Sequence, residues 1–236
     1  MTRANQLLLD LSYKPDYSSA NFMKSPCNWE ALEWIHRWPN WPMKMIAIYG
    51  EPSCGKTHLA HIWQEKSGAT YLTMADALDL SPERILKANQ AIILDDADLH
   101  ISTNAQSQKN QEEWMFHLYN LIKEEKKDLL ICSRQAPNHW GVKLLDLRSR
   151  LSTILSVAVN PPDEGVLHAV LLKLCAEKGM SLSTEVAEYI LRRVERSFES
   201  IRNLVNTLDH ETLVLHRSLT LGLVRDVLSD SAPKDL

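Results

Sequence analysis

The sequence predicts an α/β chain in which a mostly parallel five-stranded sheet, covered by helices, is followed by a small all-helical unit. Three observations carry this. Apolar, β-branched segments alternate with stretches whose apolar residues recur at helical spacing. A glycine loop, Gly50-Glu51-Pro52-Ser53-Cys54-Gly55-Lys56-Thr57, falls between one such strand and one such helix. The alternation then stops at Pro161-Pro162, beyond which every segment reads as helix.

Residues 1–20 read as a tail, a leucine cluster followed by a stretch from Ser12 to Ser19 with no period. Residues 21–160 read as the α/β core. Its first helix is expected from Asn28 to Trp38, with Trp29, Leu32, Trp34 and Ile35 mostly on one side, and Pro39 and Pro42 break the chain after it. Strands are expected over Met45–Tyr49, Ala69–Met74, Ala91–Leu94, Asp128–Ser133 and Thr153–Val159, with a long helix from about Gln108 to Glu125. Such alternation implies helices on both faces of a parallel sheet. Residues 161–236 read as a helical unit, with helices expected over 163–178, 184–196, 199–217 and 221–230. Asp163 suits the start of the first and Gly179 its stop.

The glycine loop is the most specific signal. The chain has seven glycines, and two fall at the spacing that lets loop N–H groups turn inward on a phosphate. The following helix adds its N-terminal dipole at that point. Lys56 is expected to reach the β- and γ-phosphates and the Thr57 hydroxyl to ligate Mg²⁺, while Gly50, Pro52, Ser53, Cys54, Gly55 and His58 shape the cradle. The alternative is an ordinary turn between strand and helix. A second feature argues against it: some forty residues on, Ala91-Ile92-Ile93-Leu94 ends in Asp95-Asp96. A buried strand ending at the ligand edge of a parallel sheet presents its last residues to the nucleotide. Asp95 is the expected second Mg²⁺ contact, and Asp96 the group that orients an attacking water. The sequence therefore predicts a chain that binds ADP or ATP with Mg²⁺.

Composition bounds the rest. Of 236 residues, 44% are hydrophobic and 24% charged, which is globular composition with no apolar run near the ~20 residues of a membrane span. The net charge of −4 argues against a surface built mainly for phosphate backbones. Cys27, Cys54, Cys132 and Cys175 have no paired spacing, so neither disulfides nor a zinc site is expected. One Arg and a leucine cluster interrupted by Asp10 do not make a secretory signal, and a cytoplasmic location is expected.

With these motifs in place, residues 17–230 resemble the AAA+ ATPases, in the branch of the DnaA replication initiators. The Asp95-Asp96 strand end, the segment Asn110 to Asn120, and Asn21-Phe22-Met23 with Asn28 and Ala31 on the adenine side carry the resemblance. It implies an AAA+ P-loop core followed by an α-helical lid. It further implies a sensor role for Ser133 at the end of the fourth strand, an arginine-finger role for Arg150, and a second sensor role on the lid for Arg202.

The initiators of this branch carry a helix-turn-helix DNA-binding domain after the lid. Here the sequence reaches Leu236 just beyond it, without a basic segment to dock one. The tail holds Gln6-Leu7-Leu8-Leu9-Asp10-Leu11, which resembles the short peptides that bind the bacterial DNA sliding clamp, with Gln6, Leu7, Leu9, Asp10 and Leu11 as the contact residues. The alternative is an N-terminal segment packed on the core. The resemblance implies a regulator recruited by the clamp, touching DNA only through it, which stimulates ATP hydrolysis on the initiator DnaA. A homo-oligomer is open and no membrane contact is expected. Two other readings stay open: an autonomous AAA+ ATPase such as a helicase loader, and a DNA-binding initiator lacking its DNA-reading domain.

Overall fold

The computed structural model describes residues 17–98, 105–215 and 217–230. A 3-10 turn at Ser19–Asn21 leads to α1 (Trp29–Arg37), β1 (Met45–Tyr49), α2 (Lys56–Ser67), β2 (Thr70–Thr73), α3 (Met74–Leu78), α4 (Pro82–Ala88), β3 (Ala91–Asp95), α5 (Ala105–Glu125), β4 (Asp128–Ser133), α6 (Leu145–Leu151) and β5 (Leu155–Ala158). The helical part follows as α7 (Glu164–Glu177), α8 (Thr184–Leu191), α9 (Phe198–Leu215) and α10 (Leu221–Asp230).

The five strands form one parallel sheet in the order β2-β3-β4-β1-β5. Because side chains alternate along a strand, β1, β3 and β4 each feed two cores. Ala47, Ile92, Leu94, Leu129 and Ile131 pack on one face with residues of α3 to α6. Ile46, Ile48, Ile93, Leu130, Cys132 and Val157 pack on the other with α1 and α2. This two-sided burial explains why β1 and β3 read as continuous apolar runs rather than alternating ones.

The helical part has its own core. Leu167, Leu171 and Cys175 of α7, Val186, Ala187 and Ile190 of α8, and Ile201, Leu204, Val205 and Leu208 of α9 form it with α10. The i, i+3, i+4, i+7 pattern in α9 is one helical stripe facing that core. Asp163 caps α7, its side chain accepting from the Val166 N–H at 2.9 Å, and Gly179 follows the helix at φ 67°, the left-handed conformation of a helix stop.

Some boundaries differ from expectation for local reasons. Met74 opens α3 instead of extending β2, because Thr73 forms a capping box with Asp76. The α8 helix stops at Leu191 rather than running to 196, and Ser197 accepts from the Ser200 N–H at 3.1 Å to start α9 anew. The fifth strand is shorter than predicted because Thr153 and Ile154 remain in the turn after α6, where their N–H groups bond to Arg150 and Leu151.

Candidate nucleotide-binding site

The glycine loop leaves β1 at Tyr49, passes the Val159 backbone just after β5 and enters α2 at Lys56. A Cβ at position 50 would lie 2.1 Å from the Val159 carbonyl oxygen, so only glycine lets the loop pass there. Gly55 has φ 108°, a conformation L side chains rarely adopt, and it sits where a cap residue of α2 would stand. No side chain among the described residues caps that helix, so its first N–H groups face the cleft ready for an anion. Ser53 also takes a positive φ, 59°, a strained backbone held by the surrounding loop.

Lys56 is buried, and its Nζ donates to the carbonyls of Gly50 at 2.8 Å and Glu51 at 2.9 Å. The ammonium thereby ties the two ends of the loop together. Thr57 Oγ1 donates to Asp95 Oδ2 at 3.1 Å, joining the first turn of α2 to the end of β3. Tyr71 of β2 donates its phenol to the same carboxylate oxygen. Burial, and then that bond to Asp95, push the Tyr71 phenol far above its ordinary range, so it remains a donor. The Asp96 N–H donates to Asp95 Oδ1 at 2.9 Å. Asp96 itself is exposed and takes φ 54°, in the left-handed region uncommon outside glycine. Partial burial and the neighbouring Asp95 charge raise its carboxyl above the usual range, against the opposing pull of Lys56 and Arg134.

A 430 Å³ cleft runs between core and helical part. Of the residues singled out in the sequence, Ser53, Gly55, Lys56, Thr57, His58 and Arg202 border it, together with Asn21, Phe22, Met23 and Asn28 of the N-terminal segment. Arg202 Nε is buried with no hydrogen-bond partner among the described residues, a donor left unspent beside the cleft. His58 is held on its far side by the Ser18 carbonyl at 3.0 Å, and its ring meets those of Tyr17 and Phe22 edge-on. Asn28 is buried, accepting from the Ser25 N–H and donating to the Met23 carbonyl, each at 2.9 Å, and so fixes the N-terminal segment beside the cleft.

Other predicted residues sit elsewhere. Gly50 and Cys54 build the loop from behind without bordering the cleft, and Pro52 is exposed on its outer turn. Ser133 is buried beside Tyr49 at the start of the loop, but its hydroxyl donates to the Gln135 carbonyl at 2.7 Å and it does not border the cleft. Arg150 lies on α6 outside the cleft, half-buried, with its guanidinium over the Phe116 ring at 4.2 Å. Arg148 is exposed. Gln6, Leu7, Leu9, Asp10 and Leu11 lie outside the described residues.

The structure adds residues that sequence reasoning missed. Glu199 accepts from Ser53 Oγ at 2.5 Å, Phe198 lies against Gly55, and Lys173 donates to Asn21 Oδ1. These contacts join the helical part to the core across more than 140 residues of chain. No periodicity or spacing signals such pairs.

Mg²⁺ takes hard oxygen ligands, keeps several waters, and needs few protein side chains besides the phosphates. The Thr57 hydroxyl and the Asp95 carboxylate are such a pair. All four cysteines are free and buried, and among the described residues no helix is long and apolar enough to cross a membrane.

Known proteins share both parts of this architecture. Residues 163–228 match the family described as Hda, lid domain. Domain III of the replication initiation protein DnaA from Thermotoga maritima superposes with a TM-score of 0.79 at 22% identity, over 92% of this chain and 97% of that one. AMPPCP-bound DnaA from Aquifex aeolicus superposes at 0.70 with 20% identity, covering 86% of this chain and 68% of that one. The RuvB Holliday junction branch migration motor of Thermotoga maritima follows at 0.67 and 13% identity, over 91% and 72%. The chain thus has the fold of DnaA domain III, and its residues 163–228 match the model of the Hda lid domain.

Proposed function

We propose that this chain is a nucleotide-bound AAA+ regulator of DNA replication initiation, recruited in the cytoplasm by the sliding clamp, that stimulates ATP hydrolysis on DnaA. In this reading residues 1–20 are the clamp-binding tail, 21–160 the nucleotide-binding core and 161–236 the lid. ADP or ATP occupies the cleft, with Lys56 and the loop N–H groups on its phosphates and Arg202 reaching them from the lid. Thr57 and Asp95 hold Mg²⁺, which neutralises phosphate charge when bound. Asp96, raised above the usual carboxyl range, orients a water.

The observation that carries the regulatory half is the separation of one cationic residue from two others. Lys56 and Arg202 border the cleft, whereas Arg150 is on α6 outside it, over the Phe116 ring, and in this reading leaves that ring to serve a neighbouring nucleotide. An arginine supplied in trans is worth ~10³–10⁵ in related phosphoryl transfers, and Lys cannot reproduce its planar fork. The lid match to Hda and the likeness to DnaA support the choice of partner. The test is DnaA ATP hydrolysis with clamp loaded on DNA, with this chain added or omitted; an unchanged rate rejects the regulator.

One observation favours a second reading. Lys56, Thr57, Asp95 and Asp96 together supply the parts of a hydrolytic site. An autonomous ATPase would hydrolyse ATP at steady state alone, at a rate that DnaA does not alter.

A further inference from the structure

The Asp95 carboxylate is buried at the end of β3 and accepts three hydrogen bonds of different origin. The Asp96 N–H reaches Oδ1 at 2.9 Å, and Thr57 Oγ1 reaches Oδ2 at 3.1 Å. The Tyr71 phenol also donates to Oδ2. An ionised carboxylate has about four acceptor positions, so three donors fix its plane and leave about one position for a further donor. The Asp96 donor is main chain, and the Thr57 hydroxyl belongs to the nucleotide loop. Tyr71 is the partner that comes from outside both motifs, from the neighbouring strand, where Thr73 pairs with Asp95 and Tyr71 with Ile93.

The phenol is held in place. Its ring lies flat on His61 of α2, with centroids 4.9 Å apart and planes 7° apart. His61 stacks in turn on Tyr17 at 4.6 Å and 14°, and its Nδ1 pairs with Gln64 Oε1 at 2.9 Å. Three stacked rings therefore run from Tyr17, which borders the cleft, to the Asp95 carboxylate, which is bonded to the cleft-lining Thr57. Such a ring has little freedom to rotate its hydroxyl off Asp95.

We propose that Tyr71 is a positioning residue that orients the Asp95 carboxylate toward a divalent cation at Thr57. This rests on the nucleotide reading above. Hydrogen bonds to an ionised acceptor are about twice as strong as neutral ones. Outer partners that aim a metal-binding group are worth about 10–100-fold in metal affinity. A half-buried tyrosine that only fills space beside His61 would do the same as phenylalanine, and that difference is measurable.

The experiment is calorimetric ADP binding to the full chain, first in EDTA and then across a Mg²⁺ titration, for the unmodified protein and Tyr71→Phe. Phenylalanine keeps the ring stack, and a thermal melt of each protein checks the fold. The expected result is unchanged ADP affinity in EDTA, with the Mg²⁺ midpoint raised about ten-fold. An unchanged Mg²⁺ midpoint overturns the proposal. So does an equal loss of ADP affinity with and without Mg²⁺, because Tyr71 would then support the loop rather than the carboxylate. If the unmodified chain binds no ADP, the nucleotide reading fails and this inference fails with it. The Tyr71 result alone leaves that reading standing.

Discussion

Thr57 and Asp95 meet at 3.1 Å, and that bond links the first turn of the helix after the glycine loop to the carboxylate at the end of β3. Two motifs thirty-eight positions apart in sequence thereby become one site. The loop around it depends on close backbone approach, which makes its glycines as decisive as its charged groups.

Gly50→Ala tests the close approach. The added methyl would fall 2.1 Å from a backbone oxygen, so β5 or the loop must move. Overpacking of this kind costs about 1–3 kcal/mol. A clear drop in melting temperature and a loss of ADP binding are expected, whereas Gly68→Ala, with open space around its position, is the steric control and suffers only the strain of its left-handed φ. Equal melting temperatures for Gly50→Ala and the unmodified chain would show that the loop has another path past Val159.

Lys56→Ala removes the ammonium that bridges the Gly50 and Glu51 carbonyls and faces the cleft. ADP and ATP affinity should each fall about ten-fold or more, since a charge-assisted contact to phosphate is lost along with loop order. Calorimetry reads this directly, and unchanged affinity would remove the cleft from the account.

Burial holds the Cys54, Cys132 and Cys175 thiols above their ordinary pKa, the last at about 11. Only the thiolate attacks an alkylating reagent, so the reactive form is scarce below the raised pKa and grows as pH climbs through it. Native protein treated with iodoacetamide at pH 8 should leave these three unmodified by mass spectrometry, while denatured protein is labelled at each. Rapid labelling of Cys54 in the native chain would mean that the loop opens to solvent.

Gln6 and Leu9 carry the clamp prediction. Replacing both by alanine should abolish clamp pull-down and leave ADP affinity intact. Retained clamp binding would move the contact to another part of the chain.

Much of this architecture is written locally. β1 and the Ala91–Leu94 run of β3 are continuous in apolar residues because the sheet is buried on both faces, and the glycine loop declares itself by spacing. The helices α3 and α4 also had local signals, Thr73 with Asp76 and Ser81 before Pro82, which hydrophobic periodicity in so short a stretch does not reveal. By contrast, Glu199 on Ser53, Lys173 on Asn21 and Tyr71 on Asp95 are pairings between elements, decided by how the lid and the edge strand pack. Ser133 illustrates the limit from the other side: its position at the strand end was legible, but the direction of its hydroxyl, toward Gln135, was not.

Arg150 is tested by one comparison. DnaA ATP hydrolysis is measured with clamp loaded on DNA, in the presence of the unmodified chain, Arg150→Ala or Arg148→Ala. Arg150 rests over Phe116 outside the cleft, while Arg148 is exposed two residues earlier on the same helix. Arg150→Ala should keep its fold, ADP binding and clamp binding but lose the stimulation, and Arg148→Ala should stimulate normally. Full stimulation by Arg150→Ala, or loss of its own nucleotide, would contradict the proposed role of Arg150.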